Sequence, residues 1–187
     1  MSSNKQRNRS RRTLLIVAGV FILPLIAAKL VLSLHWYETG VTNKGNLLDP
    51  PLTITAPDNE VLPNNWRIGV LVPERCVASC EHGLYVINQS YHALGRLQER
   101  VSAIGIQATT THIESLPLPE SSRIQIVSLP HAYQTISTLP AGSIFIMDPV
   151  GNIMLWYEGS NNRDEMIMQA RNLLSDLKKM LKLSRVG

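Results

Sequence analysis

The only two cysteines of the 187-residue chain stand four apart, in Arg75-Cys76-Val77-Ala78-Ser79-Cys80. Four residues is about one helical turn, so a helical segment here puts both sulfurs on one side. Two thiols so placed can close a disulfide, exchange it with another protein, or share a soft metal ion. Exchange and ligation both need thiolate, and a position at a helix N-terminus beside Arg75 favours that form. A bare staple is the competing use, but closing so short a loop removes little chain entropy. Cys76, the N-terminal and more exposed thiol, is expected to attack, and Cys80 to resolve.

Other reactive constellations lack their residues. There is no Walker motif, GxGxxG, HExxH or GxSxG, which removes the nucleotide, zinc-protease and serine-hydrolase readings. Among the histidines, His131 lies in Ser128-Leu129-Pro130-His131-Ala132-Tyr133-Gln134, a flexible-looking segment. His82 follows Cys80 by two residues and so points about 200° around a helix from it. His112 lies at a strand end and His92 neighbours the core-facing Tyr91. Glu74 and Glu81 flank the cysteines as solvated carboxylates or proton carriers.

The elements that must position the pair follow from periodicity. Arg67 to Val72 is an apolar run without alternation, expected of a central strand covered on both faces, and Pro73 stops it. Leu84, Ile87, Tyr91, Leu94, Leu97 and Val101 recur at helical spacing, which predicts an amphipathic helix of about five turns after the cysteines. Ile104–Thr111 and Arg123–Ser128 read as strands separated by a loop with Pro117 and Pro119, the second standing in the element order as a strand or helical connection. Ser143–Met147 and Asn152–Tyr157 flank Asp148-Pro149-Val150-Gly151, which predicts an antiparallel hairpin whose Asp148 carboxylate caps local amides. Met166, Ile167, Ala170, Leu173, Leu174, Leu177 and Leu181 form one stripe of a closing helix, with Lys178, Lys179 and Lys182 toward its C-terminal end. Trp66 and Trp156 are read as packing on the sheet. This order calls for an α/β domain, a central mixed sheet covered on both sides.

Charge and hydropathy divide the rest. Hydrophobic residues are 44% and charged residues 17%, enough apolar material for a packed core. The formal charge of +4 sits in a tail, since Lys5, Arg7, Arg9, Arg11 and Arg12 all lie in the first twelve residues. Beyond residue 34 there remain 12 basic against 14 acidic side chains, a net −2, which removes the electrostatic case for nucleic-acid binding. Thr13 to Leu34 carries one charge, Lys29, and at 1.5 Å per residue spans roughly 33 Å, enough to cross a bilayer core of about 30 Å. Pro24 does not veto a spanning helix, and His35, Trp36 and Tyr37 follow as interfacial anchors. The positive-inside rule predicts residues 1–12 to be cytoplasmic and the C-terminal domain to lie outside, in the periplasm if the membrane is the inner membrane of a Gram-negative bacterium, or on the equivalent face of another energy-transducing membrane. Ser10-Arg11-Arg12-Thr13-Leu14-Leu15 also has the form of a twin-arginine export signal, and a cleaved signal peptide is the competing reading of the span. Residues 35–65, rich in Pro, Asn, Asp, Thr and Gly, are expected to be an irregular linker, with the folded domain at 66–187.

The strand, CxxxC, helix order, closed by IFIMDPVGNIMLWYEG and an amphipathic helix, resembles the thioredoxin superfamily. Within it the chain is similar to the Sco/SenC group. GVTNKGNLLDPP and NWRIGVLVPERCVASC are similar to the small transmembrane proteins found with bacterial cytochrome oxidase genes, and the resemblance covers roughly Thr42 to Lys182. It implies a thioredoxin-like fold and a role in cytochrome c oxidase biogenesis, with an oxidase subunit or another assembly factor as partner. The chemistry it implies is thiol–disulfide exchange or Cu(I) carriage through Cys76 and Cys80. The group's copper-ligand histidine falls on Pro140 here, so a third ligand would have to be recruited, His131 being the substitute. Pro140 also stands about where thioredoxin-fold proteins place a cis-proline facing the cysteines. A third use is a docking module whose cysteines are only a disulfide.

Overall fold

The structure, a computed structural model, describes residues 3–33, 42–109, 116, 118 and 121–184. It divides into two units, Met1–Thr42 and Asn43–Gly187.

The first unit is one helix, α1 (Ser3–Ser33), which runs through Pro24. Over Arg12–Val31 it is long and apolar enough to cross a membrane. The side chains from Val20 to Leu30 are exposed. The helix starts ten residues earlier than hydropathy alone suggests. Ser3 to Arg12 contains no Gly or Pro and is rich in Lys, Arg and Gln, all good helix formers. The expected anchors His35, Trp36 and Tyr37 lie outside the described residues.

The second unit is built on a six-stranded sheet of order β1-β6-β5-β2-β3-β4. Its elements are β1 (Asn46–Thr53), α2 (Asp58–Val61), β2 (Trp66–Leu71), α3 (Ala78–His92), a 3-10 helix (Gly95–Arg100), β3 (Val101–Gln107), β4 (Ile124–Ser128), α4 (Pro130–Ile136), β5 (Ile144–Met147), β6 (Asn152–Tyr157) and α5 (Arg163–Leu183). β2, β3 and β4 are mutually parallel, while β5, β6 and β1 continue the sheet antiparallel. β2 is buried at all six positions, as its unbroken apolar run requires of a central strand.

The sheet separates two cores. On one face α3 and α5 cover Ile68, Val70, Ile144, Ile146 and Leu155, with Leu84, Ile87, Met166, Leu173, Leu177 and Leu181 all at or below 1% exposure. On the other, α4 and the segment from Ile54 to Leu62 cover Ile104, Ile106, Phe145, Met147 and Ile153. Asp58 joins the parts of this second layer. Its Oδ2 accepts the Ala132 N–H at 2.8 Å, satisfying a donor in the first turn of α4 that the helix cannot.

Three sequence expectations are corrected here. Residues 35–65 are not an irregular linker throughout, because Asn46–Thr53 pairs with β6 as an edge strand and residues 54–62 close the second core. Pro50 and Pro51 hide this strand from pattern reading. On an edge their missing N–H groups cost no central pairing, and the register shifts between Leu47 and Leu52 to pass them. The five-turn helix is in fact two pieces. Gly95 adopts φ +56°, which α-helix cannot hold, and the chain turns there into the 3-10 segment. The His131 segment is not a flexible loop but a short helix with Pro130 in its first turn, where a missing N–H is harmless.

Candidate functional site: a disulfide at the β2–α3 junction

Pro73 ends the ladder after β2, and the chain turns through residues 73–77 before α3 begins at Ala78. Val77 is the N-cap, extended at φ −96° and ψ 176°, and its carbonyl accepts Cys80 N at 2.8 Å and Glu81 N at 3.1 Å. Cys76 therefore lies just ahead of the helix and Cys80 inside its first turn. The two are joined by a disulfide with S–S 2.00 Å and Cα–Cα 5.3 Å.

The pair is asymmetric. Cys80 is 1% exposed within the α3–α5 core, whereas Cys76 is half-buried at its margin and Val77 between them is 52% exposed. Only one sulfur is thus approachable from solvent, and it belongs to the residue nearest the positive end of the helix. That arrangement suits attack at Cys76 and retention of Cys80 as the internal leaving or resolving group.

The remaining candidate residues are not gathered around this bond. His131 sits exposed on α4, flanked by Leu129 and Ala132 of the second core, and the disulfide lies with the first core on the opposite face of the sheet. It lines an open cleft of about 370 Å³ with Thr53, Thr55, Asp58 and Thr135 instead. The crossover from β4 through α4 to β5 decides this, and segment composition carries no trace of it. Among the described residues no three His, Cys, Asp or Glu are grouped to hold a metal ion. The set Cys76, Cys80 and His131 is accordingly not assembled in this fold. His82 faces the loop after β6, its Nδ1 lying 3.3 Å from Ser160 O, and His92 packs edge-on to Tyr91. His112 lies outside the described residues.

Pro140 is also corrected. The cis peptides of the described residues are Asp49–Pro50 and Ala56–Pro57, so Leu139–Pro140 is trans, the isomer X-Pro bonds ordinarily prefer. Pro140 O accepts Ser143 N at 3.1 Å in a turn that brings Gly142, rather than the proline, against Ser79 of the cysteine segment.

Two polar nodes hold the scaffold away from the disulfide, and pattern reading missed both. Arg67, 1% exposed in β2, donates to Pro63 O at 2.5 Å, Asn59 Oδ1 at 2.7 Å, Met147 Sδ at 3.2 Å, and Asp148 O and Pro149 O at 3.3 Å each. Burial lowers its pKa from the usual value, and the Asp148 charge partly offsets that. A lone arginine inside an otherwise unbroken apolar strand was the available signal. Asp148 itself does what its turn predicts, Oδ1 accepting the N–H groups of Val150, Gly151 and Asn152 at 2.8–2.9 Å. The second node is Asp176, 2% exposed on α5. Its Oδ2 accepts Lys44 N at 2.6 Å, Gly45 N at 3.0 Å and the Tyr157 hydroxyl at 3.1 Å.

Comparison with known proteins agrees with the fold. A family model described as a transmembrane-like, thioredoxin-like C-terminal domain matches residues 66–184. Apo Sco1 from Thermus thermophilus is similar in structure at 17% identity and TM-score 0.50, covering 76% of this chain and 99% of that one. A protein described as a DsbE thiol:disulfide interchange protein from Chlorobium tepidum follows at 14% identity and TM-score 0.44, with 71% and 94% covered. The bacterioferritin comigratory protein from Xanthomonas campestris, studied for alkyl peroxide reduction, shows 13% identity and TM-score 0.46, with 74% and 98% covered. No curated protein matches the sequence. A mixed sheet with helices on both faces, a cysteine pair between its first central strand and the helix that follows, and a matching family model over 66–184 together place the chain in the family of transmembrane-like, thioredoxin-like C-terminal domains.

Proposed function

We propose that this is a bacterial inner-membrane protein that exchanges thiols and disulfides with a partner during cytochrome c oxidase biogenesis. The N-terminus is cytoplasmic and the thioredoxin-like domain periplasmic. The observation that carries the exchange reading is the exposure difference within the Cys76–Cys80 disulfide, half-buried against 1%. The five positive charges ahead of the apolar helix support the orientation. The oxidase assignment rests on the resemblance of the GVTNKGNLLDPP and NWRIGVLVPERCVASC segments to proteins found with oxidase genes.

In the reduced state the Cys76 thiolate attacks one sulfur of a partner disulfide. A Cys76–partner bond forms, and the partner's second sulfur leaves as thiolate. Cys80, deprotonated in turn, attacks Cys76 Sγ, closes the intramolecular bond and expels the partner's first sulfur. Two electrons pass to the partner, and an extracytoplasmic dithiol reductant must restore the pair. The test is exchange between the full chain and a disulfide-bonded oxidase subunit. Cys80→Ser should accumulate the mixed disulfide and Cys76→Ser should abolish exchange; unchanged kinetics in Cys76→Ser overturns the reading. Retention of oxidase assembly in a Cys76→Ser/Cys80→Ser strain would instead mark a docking module with a structural disulfide.

Copper(I) carriage is the second reading, and one feature favours it: reduction would free two soft thiolates at a single helix end. The imidazole of a three-ligand site does not fit, since His131 is on the opposite face of the sheet. No step through copper follows from these residues.

A further inference from the structure

Between the two cysteines the chain is pressed from behind by bare backbone. A Cβ added to Gly142 would stand 2.7 Å from Ser79 Cβ and 3.0 Å from its Oγ. One added to Gly159 would stand 2.3 Å from both the carbonyl carbon and the oxygen of Gly142. Carbon atoms do not approach so closely, since dispersion attraction is optimal at about 3.5–4.0 Å. The loop before β5 therefore lies directly on the first turn of α3, and the loop after β6 lies directly on that loop. Neither layer has room for a side chain. Gly142 also holds φ +75°, a conformation glycine adopts without penalty.

This stack ends on Ser79, the residue next to Cys80. Cys80 is 1% exposed and closed in by the α3–α5 core, so it cannot drift outward to absorb a push. Cys76 lies ahead of the N-cap, outside the helix, whereas Cys80 is in its first turn. A disulfide tolerates only a narrow range of Cα and Cβ separations, whereas two thiols need none in particular. Moving Ser79 consequently costs the oxidised state more than the reduced one.

We infer that Gly142 and Gly159 are positioning residues for the redox pair. As a two-layer backbone stop behind Ser79 they set how strongly the Cys76–Cys80 disulfide is favoured over the dithiol. The inference rests on the thiol-exchange reading for its biological use, but the equilibrium it concerns belongs to this chain alone. The reaction measured is dithiol plus oxidised glutathione going to disulfide plus two reduced glutathiones. Two electrons and two protons leave Cys76 and Cys80 and cleave the glutathione S–S bond.

The experiment is that equilibrium for the full chain in detergent, with thermal unfolding as a check that each variant is folded. Gly142→Ala is expected to shift the constant at least tenfold toward dithiol, about 30 mV for a two-electron couple. Gly159→Ala, acting through one more layer, should shift it in the same direction by less. Ser79→Gly in the Gly142→Ala background removes the atom that the new methyl meets and should return the constant most of the way, although the strain at φ +75° remains. Should Gly142→Ala fail to fold, Ser79→Val loads the same contact from the other side and must give the same direction. A constant within twofold of the native one in folded Gly142→Ala or Ser79→Val, or no rescue by Ser79→Gly, overturns the inference. A wild-type chain that equilibrates with glutathione yet does not exchange with any oxidase subunit would defeat the oxidase reading and leave this one standing.

Discussion

Tyr157 on β6 donates its hydroxyl hydrogen to Asp176 Oδ2 on α5 across 3.1 Å, and the same oxygen takes the N–H groups of Lys44 and Gly45. Asp176 Oδ1 meets Lys179 Nζ at 3.5 Å. One buried carboxylate thus ties the chain just ahead of β1 to the last strand and the last helix. Around it the geometry leaves no slack, since a Cβ on Gly45 would stand 2.5 Å from the Tyr157 ring.

The phenol makes this node sensitive to alkali. Burial, then the Asp176 charge, then the hydrogen bond to it push the Tyr157 pKa above its ordinary 10.0. The folded state keeps the proton where the unfolded chain has lost it, so stability is intact below about pH 10 and falls as pH rises beyond it. Tyr157→Phe should flatten that alkaline limb while costing about 1 kcal/mol at neutral pH. Denaturant midpoints of fragment 39–187 measured up to about pH 11 decide it; an identical alkaline slope in the variant would refute the assignment.

Removing the acceptor should be worse than removing one donor. Asp176→Ala deprives two part-buried backbone N–H groups and the buried Tyr157 hydroxyl of their acceptor and is expected to cost about 3 kcal/mol. Asp176→Asn keeps one oxygen and should cost less. Amide hydrogen exchange at Lys44 and Gly45 should accelerate in both, most in the alanine variant, and unchanged rates there would show that Asp176 does not hold the segment.

Arg67 supports the far end of β2 from the disulfide, where Arg67 pairs with Met147. Arg67→Ala should lower unfolding free energy by about 3 kcal/mol, because Asn59 Oδ1 and three backbone carbonyls lose a charged donor. The thiol–disulfide equilibrium constant of the folded variant should stay within twofold of the native value. A large shift in that constant would mean that the two ends of the strand are coupled.

For metal binding the prediction is a contrast. His131→Ala should leave the Cu(I) affinity of the reduced protein unchanged, read by competition with a Cu(I) chelator, whereas Cys76→Ser/Cys80→Ser should remove any thiolate-to-copper absorption. A tenfold or greater loss of affinity in His131→Ala would mean that α4 leaves its face of the sheet to reach the cysteines.

How much of this was legible in the chain depends on the range of the interaction. The long apolar helix, the buried strand β2, the hairpin around Asp148 and the stripe of α5 could all be read directly, because helix and strand periods and turn chemistry are written between near neighbours. So could the cysteine pair and its place between a strand and a helix. The resemblance to thioredoxin-like proteins rested on those same local features, and the fold agrees with it. What could not be read was everything decided by which strand lies beside which. Asn46–Thr53 has a poor strand sequence and is a strand because β6 offers it an edge. His131 and the disulfide fall on opposite faces because the connection through α4 crosses one side of the sheet and α3 the other. Gly142 and Gly159, ordinary loop glycines by position, come to lie Gly142 against Ser79 and Gly159 against Gly142 only when the loops before β5 and after β6 converge on the first turn of α3. Local sequence sets the elements, whereas burial against residues a hundred positions away sets their faces, and no periodicity records that.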